Sequence, residues 1–193
     1  MSLNIAKAGD ATESSITRAL NSGERVFAAG VYHVECHDKD GNLKWETDAP
    51  NLVVNVGAQY MCGVALTSTV QITAWYLGLY GAAATNNPAA GDTSASHAGW
   101  TEVVPYSEAT RPACTFAAAT LANPSVATNT ASKATFTINA SATVGGAFLI
   151  SNNTKSGATG TLFSAADFGA PGDRAVVSGD VLSVTYTFSL TAA

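Results

Sequence analysis

"VLSVTYTFSL", residues 181–190, alternates from its second residue on: Leu182, Val184, Tyr186, Phe188 and Leu190 are apolar, while Ser183, Thr185, Thr187 and Ser189 carry hydroxyls. Successive side chains of an extended chain point to opposite faces. The pattern therefore predicts a half-buried strand with a packed inner side and a hydroxyl outer side. "KATFTINAS" (133–141) repeats it, with Phe136 and Ile138 inward. "TAWYLGLY" (73–80) and "GAFLIS" (146–151) are nearly continuous apolar runs and predict more fully buried strands. Shorter strands are expected at "TEVVPY" (101–106), "CTFAAATL" (114–121), "TLFS" (161–164) and "RAVV" (174–177). Between them, "NNTKSGATG", "GAPGD" and "SGD" supply turn residues.

Helical spacing is scarce. "GAQYMCGVAL" (57–66) places Tyr60, Met61, Val64 and Ala65 at helical intervals, and "ESSITRAL" (13–20) predicts a second short helix. The sum is an all-β chain: a β-sandwich, with jelly roll the preferred topology, and one or two short helices. Residues 1–25 are polar and weakly patterned and are expected to form an arm, leaving 26–193 as the sandwich domain. Residues 81–99 form a long loop of small residues.

Charge is sparse and uneven. Charged residues make up 12% of the 193, about half the usual share, and thirteen of the 23 lie in residues 1–50. A surface made soluble by Thr, Ser and Asn suits either a component of an assembly or a soluble domain of low charge usage. A net charge of −5 without a Lys/Arg cluster argues against a nucleic-acid partner. Cys36, Cys62 and Cys114 have no paired spacing, which fits a reducing cytoplasm better than a secreted disulfide framework. "MSLNIAKAGDATESS" has no apolar core of the kind a signal peptide needs, and no run of about 18 apolar residues predicts a membrane span.

"VYHVECHDKDGN" (31–42) concentrates the chain's chemistry: His33, Glu35, His37, Cys36 and two aspartates. As a strand it turns Tyr32, Val34 and Cys36 inward and His33, Glu35 and His37 outward. The two histidines then stand roughly 13 Å apart along one strand, too far to share a zinc ion whose ligands lie about 2.0–2.3 Å from it. A calcium loop starting at Asp38 would have its glycine at the wrong position, and Ala49 stands where a bidentate glutamate is needed. A hairpin accounts for more: Gly41 takes the left-handed conformation of a bulged turn between "YHVEC" and "LKWE". No metal, cofactor or catalytic set is expected.

Catalytic motifs are lacking: the chain has no G-x-S-x-G elbow, Walker loop or dinucleotide loop. Glu102 and Glu108, near Trp100, are the carboxylates a glycosidase would use, though "TEVVPYSEATR" reads equally as an exposed-edge strand. His97 is solvated or partner-facing. Trp75 is expected in the core, and Trp45 and Trp100 either cap the sandwich or anchor an interface.

The run "VECHDKDGNLKWETDAPNLVVNVGAQYM", with "WYLGLY", "HAGWTEVVPYSEATRPA", "ATFTIN", "VGGAFLIS" and "DRAVVSGDVLSVTYTFSL", resembles a group of tailed-bacteriophage virion proteins over roughly residues 31–190. The resemblance implies a capsid cement, or decoration, protein: a jelly roll bound outside an HK97-like shell, as a dimer or trimer, clamping neighbouring capsid subunits. The implied partners are the major capsid protein and further copies of the chain, without nucleic acid or membrane. The implied location is the capsid exterior, after synthesis in the bacterial cytoplasm. The candidate interface comprises His33, Glu35, His37, Lys44, Trp45, His97 and Trp100. The alternative from the same resemblance is a tail or head-fibre component that binds a host receptor or glycan. A sandwich-fold polysaccharide lyase or hydrolase is a third possibility.

Overall fold

The computed structural model describes residues 25–81, 88–169 and 171–192. All of the expected arm except Arg25, the helix expected at 13–20, and positions 82–87 of the small-residue loop lie outside these residues.

The alternating stretch that opens the sequence analysis belongs to the longest strand pair. Strand β1 (Val26–His37) runs antiparallel to β12 (Val181–Ala192) along its whole length, from Val26 opposite Ala192 to His37 opposite Val181. The intervening strands are β2 (Leu43–Pro50), β3 (Leu52–Val53), β4 (Tyr76–Gly81), β5 (Thr101–Val103), β6 (Ser125–Thr128), β7 (Ala134–Thr137), β8 (Ala142–Val144), β9 (Gly146–Ile150), β10 (Leu162–Asp167) and β11 (Arg174–Val176). Helix α1 covers Asn55–Leu66, and a single 3-10 turn covers Thr130–Ser132.

The first sheet has the order β2-β1-β12-β6, with β7 also pairing β12. The second has the order β3-β10-β9-β4-β5, and β8 and β11 form a separate ribbon. Every described pairing of these strands is antiparallel. The two large sheets pack face to face as an all-β sandwich with a short helix. Tyr32, Val34 and Cys36 of β1 and Leu182, Val184 and Tyr186 of β12 share one core with Leu77 and Leu79 of β4 and Ala147 and Leu149 of β9. The inner set anticipated from alternation in β1 is fully buried.

Polar groups also join the sheets inside the core. The hydroxyls of Tyr32 and Ser164 lie 2.6 Å apart, and Ser164 Oγ donates to Tyr186 Oη at 3.3 Å. Asn51 completes the chain by donating its amide to Tyr186 Oη at 2.7 Å. Each hydroxyl would cost about 1–3 kcal/mol if buried without a partner, so the network turns a liability into a fixed sheet-to-sheet alignment.

The strand expected at 114–121 does not form. Only Ala113 makes a bridge, to Tyr76, and the following residues meet β6 through irregular bonds from Ala117 to Thr128 and from Thr120 to Val126. Beyond Cys114 and Phe116 the stretch is exposed, because its small alanines offer little area to bury. Among the described residues, no helix is long and apolar enough to cross a membrane.

Candidate functional site: the outer face of the first hairpin

Asp38 sets the turn. Its carboxylate accepts the backbone N–H groups of Asp40 and Asn42 at 2.9 Å and the Asn42 amide at 3.1 Å, while Gly41 takes φ +84°. These bonds, the Asn42 side chain's first, hold the Asp38 carboxyl below its usual range. A bulge follows: Cys36 opposes Trp45, but His37 opposes Leu43. The bulged hairpin expected from the sequence is present.

Register then decides which charges meet. His33 lies opposite Asp48 and Glu35 opposite Glu46, all on the outer face. Two glutamates directly across a strand pair repel one another, so the face needs cations. It has two. Lys133, beside β7, donates to Glu35 Oε2 at 2.8 Å, and this bond, ahead of a smaller contribution from His33, lowers the Glu35 pKa. His33 Nδ1 donates to Asp48 Oδ1 at 2.8 Å while Nε2 lies 3.3 Å from Glu35 Oε1. The Asp48 bond foremost, with help from Glu35, raises the His33 pKa above 6.5.

The sign of the pH dependence follows. The stabilisation from His33 is complete below pH 6.5 and fades as pH rises through its raised folded value. That from Glu35 is complete above 4.5 and fades as pH falls through its lowered value. The hairpin's outer face is best satisfied between these limits. In an NMR titration, His33 should titrate above 6.5, and Asp48→Asn should bring its midpoint down. An unmoved midpoint would mean that the Asp48 bond is not what sets it.

His33 and His37 do not converge. His37 sits half-buried near the turn, across from Leu43 and Val181. Among the described residues, His33, Glu35 and Glu46 come nearest to a metal-ligating set, with ligand atoms within 4.8 Å of one another. Lys133 already holds one Glu35 oxygen and Asp48 the other His33 nitrogen, so the countercharge is supplied by side chains.

The remaining candidates separate. Lys44 reaches away from this cluster to Asp180, 136 residues on, at 2.5 Å; Asp180 is almost fully buried and also accepts the Val177 N–H. Trp45 shares the inner face with Cys36 and packs edge-on against Phe168, with Arg174 over its ring. Its indole N–H is buried and meets no hydrogen-bond acceptor among the described residues. Trp100 is only 4% exposed and packs with Tyr80 and Phe148, donating its indole N–H to Asp92 at 2.9 Å. The ring is a core element and has no outer surface to offer a partner. His97 stacks on it at 3.8 Å between centroids.

Glu102 and Glu108 are both engaged by the protein. Glu102 makes a two-pronged pair with Arg111, both bonds at 2.8 Å, and accepts the Ser156 N–H. Glu108 accepts the Thr137 N–H with both oxygens.

The partners Asp48, Glu46, Lys133 and Asp180 were not anticipated. Extending the period-two alternation through "LKWETD" would have placed Glu46 and Asp48 on the outer face; nothing local announces Lys133 or Asp180. Comparison with family models, curated proteins and solved structures found no match to this chain.

Proposed function

We propose that this chain is a virion structural protein that binds the outside of an HK97-like phage capsid and ties neighbouring capsid subunits together, acting by adhesion and without catalysis. The supporting observation is the outer face of the β1–β2 hairpin. His33, Glu35, Glu46 and Asp48 are gathered on one firm surface, in a chain that carries only ten charged residues after position 50. Among the described strands, β2 is also the edge of its sheet, pairing only β1. Such a face gives directional, charge-selective contact with a shell subunit. The likeness of residues 31–190 to tailed-phage virion proteins, and the engagement of Glu102 and Glu108 by the protein's own groups, point the same way.

A shell pressed from within by packed DNA opens where capsomers part, and a bridge across that seam adds its binding free energy to theirs. A stable bridge buries at least about 1,000 Å². Self-association as a dimer or trimer would let each unit grip more than one capsid subunit and gain avidity.

Glu46→Lys tests the surface. It removes the repulsion from Glu35, so folding should survive, while the charge at that outward position is inverted. Binding of the variant to undecorated shells should weaken at least about tenfold, corresponding to ~1.4 kcal/mol. Decoration at the parent's level would remove the hairpin from the interface. Counting copies per particle tests the role itself: symmetric coverage of a shell requires on the order of hundreds, and about six or twelve would place the chain at the tail.

A further inference from the structure

A small cavity of about 130 Å³ opens on the second sheet, between the residues leading into β5 and the connection from β9 to β10. The charged hairpin belongs to the other sheet. The cavity walls combine Phe148 and Ile150 of β9 with His97, Glu102, Arg111 and Ser156. Its two sides are tied together before any ligand arrives. Ser94 donates its hydroxyl to the Gly160 carbonyl at 2.7 Å, and Ser156 donates its backbone N–H to Glu102 at 2.6 Å. Ser156 does so at φ +54°, and among the described residues it is the one non-glycine with positive φ. Backbone strain of this kind persists only where the surroundings impose it, and it gathers at binding sites.

Hydrogen-bonding capacity is left over there. A guanidinium has five N–H donors, and the described bonds of Arg111 occupy four. A carboxylate offers about four acceptor positions, and the described bonds of Glu102 fill three. Both side chains are more than nine-tenths buried. His97 lies flat on Trp100, half-buried, and donates its Nδ1–H to the Trp100 carbonyl at 3.0 Å. In the neutral ring that leaves Nε2 as an acceptor, and it meets no donor among the described residues.

Charge and size narrow the ligand. The Arg111–Glu102 pair cancels, and no other Asp, Glu, Lys or Arg lines the cavity among the described residues, so an ionic ligand finds no countercharge. A neutral molecule whose hydroxyls both donate and accept fits the leftover groups, with an apolar edge to lie against Phe148 and Ile150. At about 30 Å³ for each water, the space equals roughly four waters and takes in one ring edge, not a string of rings. We propose that this cavity binds a single neutral sugar ring, the terminal residue of a glycan, with Glu102, Arg111 and His97 Nε2 sharing its hydroxyls. Nothing in this assignment depends on capsid binding.

Ligand-observed NMR titration of the full chain tests it. The probes are the methyl glycosides of galactose, glucose and mannose, the three free hexoses, and N-acetylneuraminic acid as an anionic sugar. At least one neutral glycoside should bind with a Kd in the mM range or tighter. His97→Ala should then weaken its binding at least about tenfold. Ser156→Gly takes a hydroxyl from the wall and relieves the positive φ, so affinity should fall at least about threefold while the thermal midpoint holds or rises. Glu102 and Arg111 are left intact, because their loss strikes at folding. No binding of any neutral sugar at tens of mM, a lower Kd for the anionic sugar, or an unchanged Kd in both variants would each overturn the assignment. Binding of a free hexose but of no glycoside would overturn it too, by giving the cavity to a soluble sugar instead of a glycan end.

Discussion

Glu102→Ala should remove about 3–5 kcal/mol of folding stability, the usual result of stripping one partner from a buried ion pair. Arg111 and Glu102 are 3% and 4% exposed, and their two parallel bonds are the only charge compensation the described structure gives either side chain. The guanidinium also donates to the Asn152 carbonyl and lies 5.3 Å from the Phe148 ring, so it is fixed where it cannot swing out to water. Without Glu102, a cation stays buried and the Ser156 N–H loses its acceptor. Urea denaturation of the variant should show the loss as a lower midpoint with an unchanged slope. Replacing both partners with apolar residues of similar volume should recover much of it, since the pair's own desolvation cost disappears as well. A single-variant loss below about 1 kcal/mol would show that the pair is solvated and its geometry unimportant. A large loss would identify Glu102 as a structural anchor.

Gly57→Ala should also destabilise, against the helix-propensity trend. Alanine inside a helix is normally favoured over glycine by about 1 kcal/mol. Here a Cβ on Gly57 would stand 2.2 Å from the Phe163 carbonyl oxygen and 2.9 Å from its carbon, both backbone atoms of β10. A backbone neighbour cannot rotate away, so α1 would have to lift from the sheet. Overpacking of that order costs about 1–3 kcal/mol and occasionally more, enough to outweigh the propensity gain. Thermal unfolding should show a lower midpoint. A midpoint raised above the parent's would mean that the helix has room to shift.

The two predictions also mark what the sequence could disclose. Strands β9 and β12 and residues 31–37 of β1 were legible because their runs alternate or stay apolar, and the hairpin was legible because Asp38, Gly41 and Asn42 carry the turn locally. The helix emerged two residues short, since Asn55 and Val56 lie outside its apolar spacing. Strands β3, β6 and β8 span only two to four residues, too few for any period to register. The segment 114–121 misled because a short strand-like run says nothing about whether a neighbour is free to pair. Trp100 read only as the residue after a long run of small residues; its anchor, Asp92, lies within that run. The site divides similarly. His33 and Glu35 were nominated from their own strand, whereas Lys133 comes from 98 residues away and exists as a partner only through the β7–β12 and β12–β1 pairings.

The side-by-side placement of β1 and β12 also has a kinetic meaning. β1 cannot meet its main partner until residues 181–192 have been synthesised, although β1 itself is made from residue 26 onward. While translation proceeds, the emerging polypeptide can close the β1–β2 hairpin but must hold the other flank of β1 open and unpaired. Contacts so distant along the chain make for slow maturation and a prolonged exposure of sticky strand flanks. Nascent protein should therefore lean on ribosome-associated chaperones, and polypeptides halted before residue 181 should aggregate rather than persist as smaller folded units.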